Sequence, residues 1–115
     1  MAKGMRDEYP IDLEVIREQI RHGRYTISFS HTEKVRLRKI GINEIEEAIL
    51  RGIIIEPYPD DPRGASCLIM GYSSQGRPLH VLCGNLMGDE LLIITAYEPD
   101  GNEWEADLKT RKRGG

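Results

Sequence analysis

The chain has 115 residues, 39% hydrophobic and 30% charged, with a formal net charge of −3. That is one domain's worth of polypeptide, and its apolar content excludes a disordered chain. No uncharged apolar run approaches the ~20 residues a bilayer helix needs, and two cysteines, Cys67 and Cys83, are too few for a disulfide framework.

The charge is segmented. Residues 17–39 hold seven Lys or Arg against two Glu, and residues 87–107 hold seven acids and no base. Residues 43–63 are again acidic, and the end of the chain carries Lys109, Arg111, Lys112 and Arg113. A negative total argues against broad coverage of nucleic acid, so phosphate contact is to be sought on the basic 17–39 stretch. Solvated faces of alternating sign are the structural alternative.

Residues 1–10, MAKGMRDEYP, lack the apolar centre of a signal peptide and read as a flexible tail. A reduced, cytoplasmic setting is expected, with no membrane contact. Leu13, Ile16 and Ile20 recur at helical spacing, so a first helix is predicted over about 12–22, closed by Gly23. Tyr25, Ile27 and Phe29 alternate with Thr26 and Ser28 and predict a strand. Ser30 and Glu33 form a capping box that opens a second helix reaching Ile40. Asn43 and Glu46 repeat that signal for a third helix ending at Gly52.

The pattern then turns to β. Ile53–Glu56 is a short apolar run, and Pro57–Gly64 is predicted as a loop closed to regular structure by three prolines. Ser66–Tyr72, Pro78–Leu86 and Leu91–Tyr97 are predicted strands with short links, an antiparallel meander. Trp104 is placed to fold back as a cover. The expected architecture is α+β, order αβααββββ, with N-terminal helices packed on one face of an antiparallel sheet. A single domain is expected over 11–104, followed by a basic C-terminal tail over 105–115 that frays. Ile27, Val35, Ile49, Leu68, Leu82 and Ile93 are the expected core.

Two histidines are placed for chemistry. His31 begins the second helix, where backbone N–H groups favour anions. His80 sits mid-strand and points away from Leu79 and Val81. Each has two readings: a histidine satisfied by a backbone or hydroxyl group, or a member of a shared site between helix and sheet. His22, at a helix end, reads as structural. No CxxC or HxxxH pair is present, so no metal or other cofactor is expected. Cys67 and Cys83 read as small buried hydrophobes that face each other if their hairpin has a three-residue loop. Lys34, Arg36, Arg38 and, near a strand start, Arg77 can track a phosphate backbone. Thr95 and Tyr97 share a strand face, where a phenol can stack on a base or act as an acid.

Ile27-Ser28-Phe29-Ser30-His31, Gly41-Ile42, Pro57-Tyr58-Pro59-Asp60-Asp61, Arg77-Pro78-Leu79-His80-Val81 and Ile94-Thr95-Ala96-Tyr97-Glu98-Pro99 stand in an order that resembles the bacterial and archaeal family called domain of unknown function 4258. The resemblance spans roughly residues 25–104. The family in turn looks similar to the RelE and BrnT ribonuclease toxins, small α+β domains encoded beside an antitoxin. The resemblance thus implies a RelE-like fold and a type II toxin acting on mRNA as a metal-independent endoribonuclease. It also implies a cognate antitoxin with a small DNA-binding or zinc-finger domain. On that reading His31, His80 and Tyr97 supply acid, base or stacking groups, and Lys34, Arg36, Arg38, Arg77 and Thr95 hold RNA. The alternative is a non-catalytic protein- or RNA-binding module related to such toxins.

Overall fold

The computed structural model describes residues 11–28 and 40–112. Asp12 caps the first helix, α1 (Leu13–Arg21), by accepting from the Glu14 N–H at 2.9 Å. Gly23, with φ of +69°, turns the chain out of it and into β1 (Tyr25–Ile27). The second described helix, α2 (Ile42–Arg51), is capped two residues before the predicted position: Gly41 is the N-cap, and the Glu44 carboxylate accepts from its N–H at 3.0 Å. The predicted helix over 30–40, with His31, Lys34, Val35, Arg36 and Arg38, lies outside the described residues.

Four strands follow: β2 (Ile53–Tyr58), β3 (Ser66–Tyr72), β4 (Pro78–Gly84) and β5 (Leu91–Tyr97). Strands β3 to β5 form the predicted antiparallel meander, and β2 extends it by pairing antiparallel with β3. The β3–β4 hairpin closes on a three-residue tip. Ser73 and Arg77 are joined by a backbone bond of 2.9 Å, and Gly76 takes φ of +84°. That loop length puts Cys67 and Cys83 opposite each other, both fully buried.

The sheet order is β1-β5-β4-β3-β2, and β1 pairs with β5 in parallel. The fold is therefore α+β with a mixed five-stranded sheet, which corrects the expectation of an antiparallel one. No turn joins β1 to β5, so no hairpin dictates its direction. The chain leaves β1 at one edge and re-enters through α2 at the other, and a long crossover permits parallel pairing. A second correction concerns Pro57. It lies within β2, tolerated because β2 is an edge strand with a register shift between Ile54 and Glu56.

Both helices cover one face. Ile16 and Ile20 of α1 and Ile45, Ala48 and Ile49 of α2 join Cys67, Ile69, Leu79, Val81, Cys83 and Ile93 in a single buried cluster. Each large aliphatic side chain so buried stabilises the fold by about 1.5–3 kcal/mol. Of the expected core, Ile49, Leu68 and Ile93 are buried, while Ile27 and Leu82 are only half-buried. Leu82 lies on the face away from the helices, because alternation sends it opposite to Val81 and Cys83. No helix among the described residues is long and apolar enough to cross a membrane.

Candidate functional site

The face opposite the described helices carries two rows of side chains across the central strands. Leu68, Leu82 and Thr95 are register partners on β3, β4 and β5. Two residues along, Met70, His80 and Tyr97 form the next row. The second row is roofed. Residues 100–112 fold back as a strap in which Glu103 and Glu105 pair through their backbones with Lys112 and Thr110, and Trp104 bridges to Arg111. The strap turn is held by Asp107, whose carboxylate accepts from the Lys109 and Thr110 N–H groups and the Thr110 hydroxyl. The tail expected from residue 105 is tied to the sheet over residues 105–112. One tie is the cover expected of Trp104, now a buried indole; the other is the ion pair of Arg111 with Glu56, which sequence spacing does not show.

Trp104 is 1% exposed and meets His80 edge-on at 4.4 Å between ring centroids. His80 is fully buried. Its Nε2 lies 2.7 Å from the Leu108 carbonyl oxygen, which can only accept, so Nε2 carries the proton. Nδ1 is then left to accept from the Tyr97 hydroxyl at 3.3 Å. Burial lowers the His80 pKa, opposed by the Leu108 bond and by Glu56. Burial likewise raises that of Tyr97. At neutral pH the pair is a protonated phenol facing a neutral imidazole. Leu108 presents its carbonyl from a left-handed conformation, φ of +60°, which costs a non-glycine residue energy and marks the turn as held from outside.

Among the described residues the first row is uncovered. It floors a groove of about 580 Å³ whose walls include Tyr58, Asp60, Asp61, Arg63, Ser66, Tyr97 and Arg111. Arg111 is fixed twice. Its Nε and Nη2 donate to the two Glu56 oxygens at 2.7 and 3.1 Å, and its guanidinium lies 4.6 Å over the Trp104 ring. The Arg111 bond holds the Glu56 carboxyl below its usual range, and Glu56 also accepts from the Tyr58 hydroxyl. Asp61 accepts from the Ser66 hydroxyl at 2.9 Å and from the backbone and side chain of Arg63, and its pKa falls to about 2 chiefly through the Arg63 backbone bond.

Of the sequence-predicted residues, His80 and Tyr97 are brought together, and Thr95 and Tyr97 share the groove. Arg77 is placed elsewhere. It sits on the helix-bearing side, paired with Glu44 of α2 at 2.9 Å and with Glu98. His31, Lys34, Arg36 and Arg38 lie outside the described residues. Sequence reasoning missed Tyr58, Arg63 and Arg111. Tyr58 and Arg63 fall in the segment whose three prolines predict a loop, and Arg111 falls in the expected basic tail. The signal available was that loop's mix of phenol, acids and arginine.

A small α+β domain with helices on one sheet face and a strapped, grooved opposite face is the class that this geometry defines. The family described as Domain of unknown function (DUF4258) matches residues 27–98, more than half of the chain, and the chain belongs to that family. The strap with Trp104 and Arg111 lies beyond the matched span. No curated protein and no solved structure matches the chain.

Proposed function

We propose that this domain acts on RNA as a metal-independent endoribonuclease of the toxin type, working from the groove on the open sheet face. The reading joins the sequence's resemblance to RelE- and BrnT-like toxins with one observation: Tyr97 stands at the groove with its hydroxyl bonded to a buried, neutral His80. Cleavage of RNA at a 2′-hydroxyl needs a proton acceptor, cations around the phosphate and a proton for the leaving oxygen. The Tyr97 oxygen takes the 2′-hydroxyl proton as its own proton passes to His80 Nδ1. The 2′-oxygen attacks the adjacent phosphorus, the bond from phosphorus to the 5′-oxygen breaks, and the 5′-oxygen takes a proton from water; the proton held on His80 returns through Tyr97 to the hydroxide left behind. The products are a 2′,3′-cyclic phosphate and a 5′-hydroxyl. His80, with no exposed surface, acts through Tyr97 as a positioning residue and proton store. His31 stays a candidate for the second proton transfer, and Lys34, Arg36 and Arg38 for the RNA backbone. A cognate antitoxin of the small DNA-binding or zinc-finger type is the expected partner.

A second reading is a non-catalytic RNA- or protein-binding module. It is favoured by the fact that both His80 nitrogens are satisfied inside the fold. The deciding experiment incubates the full chain with single-stranded RNA in EDTA and maps the product ends. Cyclic-phosphate ends that vanish in Tyr97→Phe, at an unchanged melting temperature, are the expected result. Retention of RNA without cleavage supports the second reading in its RNA-binding form, and absence of both binding and cleavage overturns every RNA-directed reading and leaves the protein-binding module.

A further inference from the structure

We propose that the groove holds a single nucleotide unit by its phosphate, with Arg111 as the phosphate-binding residue and Glu56 as the residue that aims it. The proposal deepens the RNA-directed reading and rests on it. Three observations carry it. First, Arg111 is preorganised: Glu56 engages two of its nitrogens, and the indole of Trp104 lies under its plane. Glu56 and the Tyr58 hydroxyl together engage only part of the guanidinium's five donors, and the Arg111 side chain is 55% exposed where it lines the groove. Fixing the fork beforehand removes the side-chain entropy that a free arginine loses on binding a phosphate.

Second, the surroundings suit a nucleoside as well as a phosphate. Tyr58 and Tyr97 offer aromatic faces, Ser66 and Thr95 bring hydroxyls, and Leu68 and Leu82 make an apolar floor. Third, the size agrees. A groove of about 580 Å³ is within the range of ~300–1,000 Å³ typical of small-molecule sites. Of the two acids that line it, Asp60 and Asp61, Asp61 is met by Arg63 and Ser66.

Trp104 is the only tryptophan in the chain, so its emission reports on the Arg111 site. The test titrates the full chain with adenosine 3′-monophosphate, adenosine and inorganic phosphate. It follows Trp104 fluorescence and, in isotope-labelled protein, the Arg111 Nε–H resonance. The nucleotide should shift both saturably and bind at least about tenfold more tightly than adenosine or phosphate alone. Arg111→Lys should lose about tenfold in nucleotide affinity, and Glu56→Gln a smaller factor, because lysine cannot reproduce the fork. Both variants touch the strap, so the wild-type Arg111 resonance stands as the measurement that needs no substitution. A resonance that does not move, or adenosine binding as tightly as its phosphate, overturns the proposal. Nucleotide binding without RNA cleavage leaves it standing and removes the catalytic reading. RNA cleavage at the normal rate by Arg111→Lys does the reverse.

Discussion

Gly71 on β3 lies against the carbonyl oxygen of Ala48 on α2, so close that a Cβ built on Gly71 would come within 1.9 Å of that oxygen. A Cβ built on Gly52 would likewise come within 2.5 Å of the Ala48 and Met70 oxygens. Helix and strand therefore meet backbone to backbone, which holds β3 and the groove floor it carries on the other side. Gly71→Ala must lift the helix, and a loss of about 1–3 kcal/mol or more is expected. Gly101→Ala, with nothing within 4 Å of the new atom, should stay within ~0.5 kcal/mol. Urea unfolding midpoints for the two variants check the contrast, and equal midpoints would reject the close approach.

Acid should weaken the fold through His80 before it does so through the carboxylates. Burial lowers the folded-state pKa of His80 below the ordinary value of 6.5, so on acidification the unfolded chain takes up this proton first. The stabilisation is complete above 6.5 and is lost as pH falls through the lower, folded value. Glu56, Asp61 and Asp107 are also lowered, but from values of 4.5 or less, so their contribution fades at lower pH. Melting temperatures measured from pH 7.5 down to about 5 should fall in the wild type and fall less in His80→Gln. Parallel curves for the two proteins would show that His80 does not titrate differently on folding.

The thiols should be silent in the native protein. Cys67 and Cys83 are fully buried on the helix-bearing face, and burial pushes the Cys67 thiol up to about 12 and Cys83 well above its usual value. Reaction with a thiol-specific chromogenic disulfide at pH 8 should proceed only at the rate of unfolding and become fast for both in urea. Rapid labelling of either cysteine without denaturant would contradict the packing of β3 and β4.

The parts legible in the sequence were those encoded locally. Gly76 in a three-residue tip set the β3–β4 hairpin, and strict alternation sent His80 to the face opposite Leu79 and Val81. Likewise, Thr95 and Tyr97 were readable as neighbours because they are two residues apart on one strand. What escaped was long-range. Nothing in Tyr25-Thr26-Ile27 announces a parallel partner in Leu91–Ile93, since either direction buries the same side chains. Pro57 reads as a breaker until β2 is known to be an edge. Arg111 reaches Glu56 across 55 residues of sequence, and no periodicity encodes that pairing. The groove was therefore half visible: its β4–β5 side could be read, and its cationic wall could not.

Trp104 should prove the keystone of the strap. Its side chain packs edge-on against His80 and lies beneath Arg111, and it is the largest fully buried side chain of the described residues. Trp104→Ala should cost about 3–5 kcal/mol, the usual penalty for emptying a buried aromatic site. A second effect follows from the first. The roof over His80 is removed, and burial is the largest cause of its lowered pKa, so its imidazole should titrate closer to 6.5 in the variant. Trp104→Phe keeps a ring at the site and should hold His80 nearer its wild-type behaviour. Histidine proton resonances followed against pH, in variants first shown by circular dichroism to keep the sheet, read this directly. A stability loss below ~1 kcal/mol, with His80 titrating as in the wild type, would mean that the strap does not rest on the sheet in solution. Arg111 would then have no fixed place at the groove.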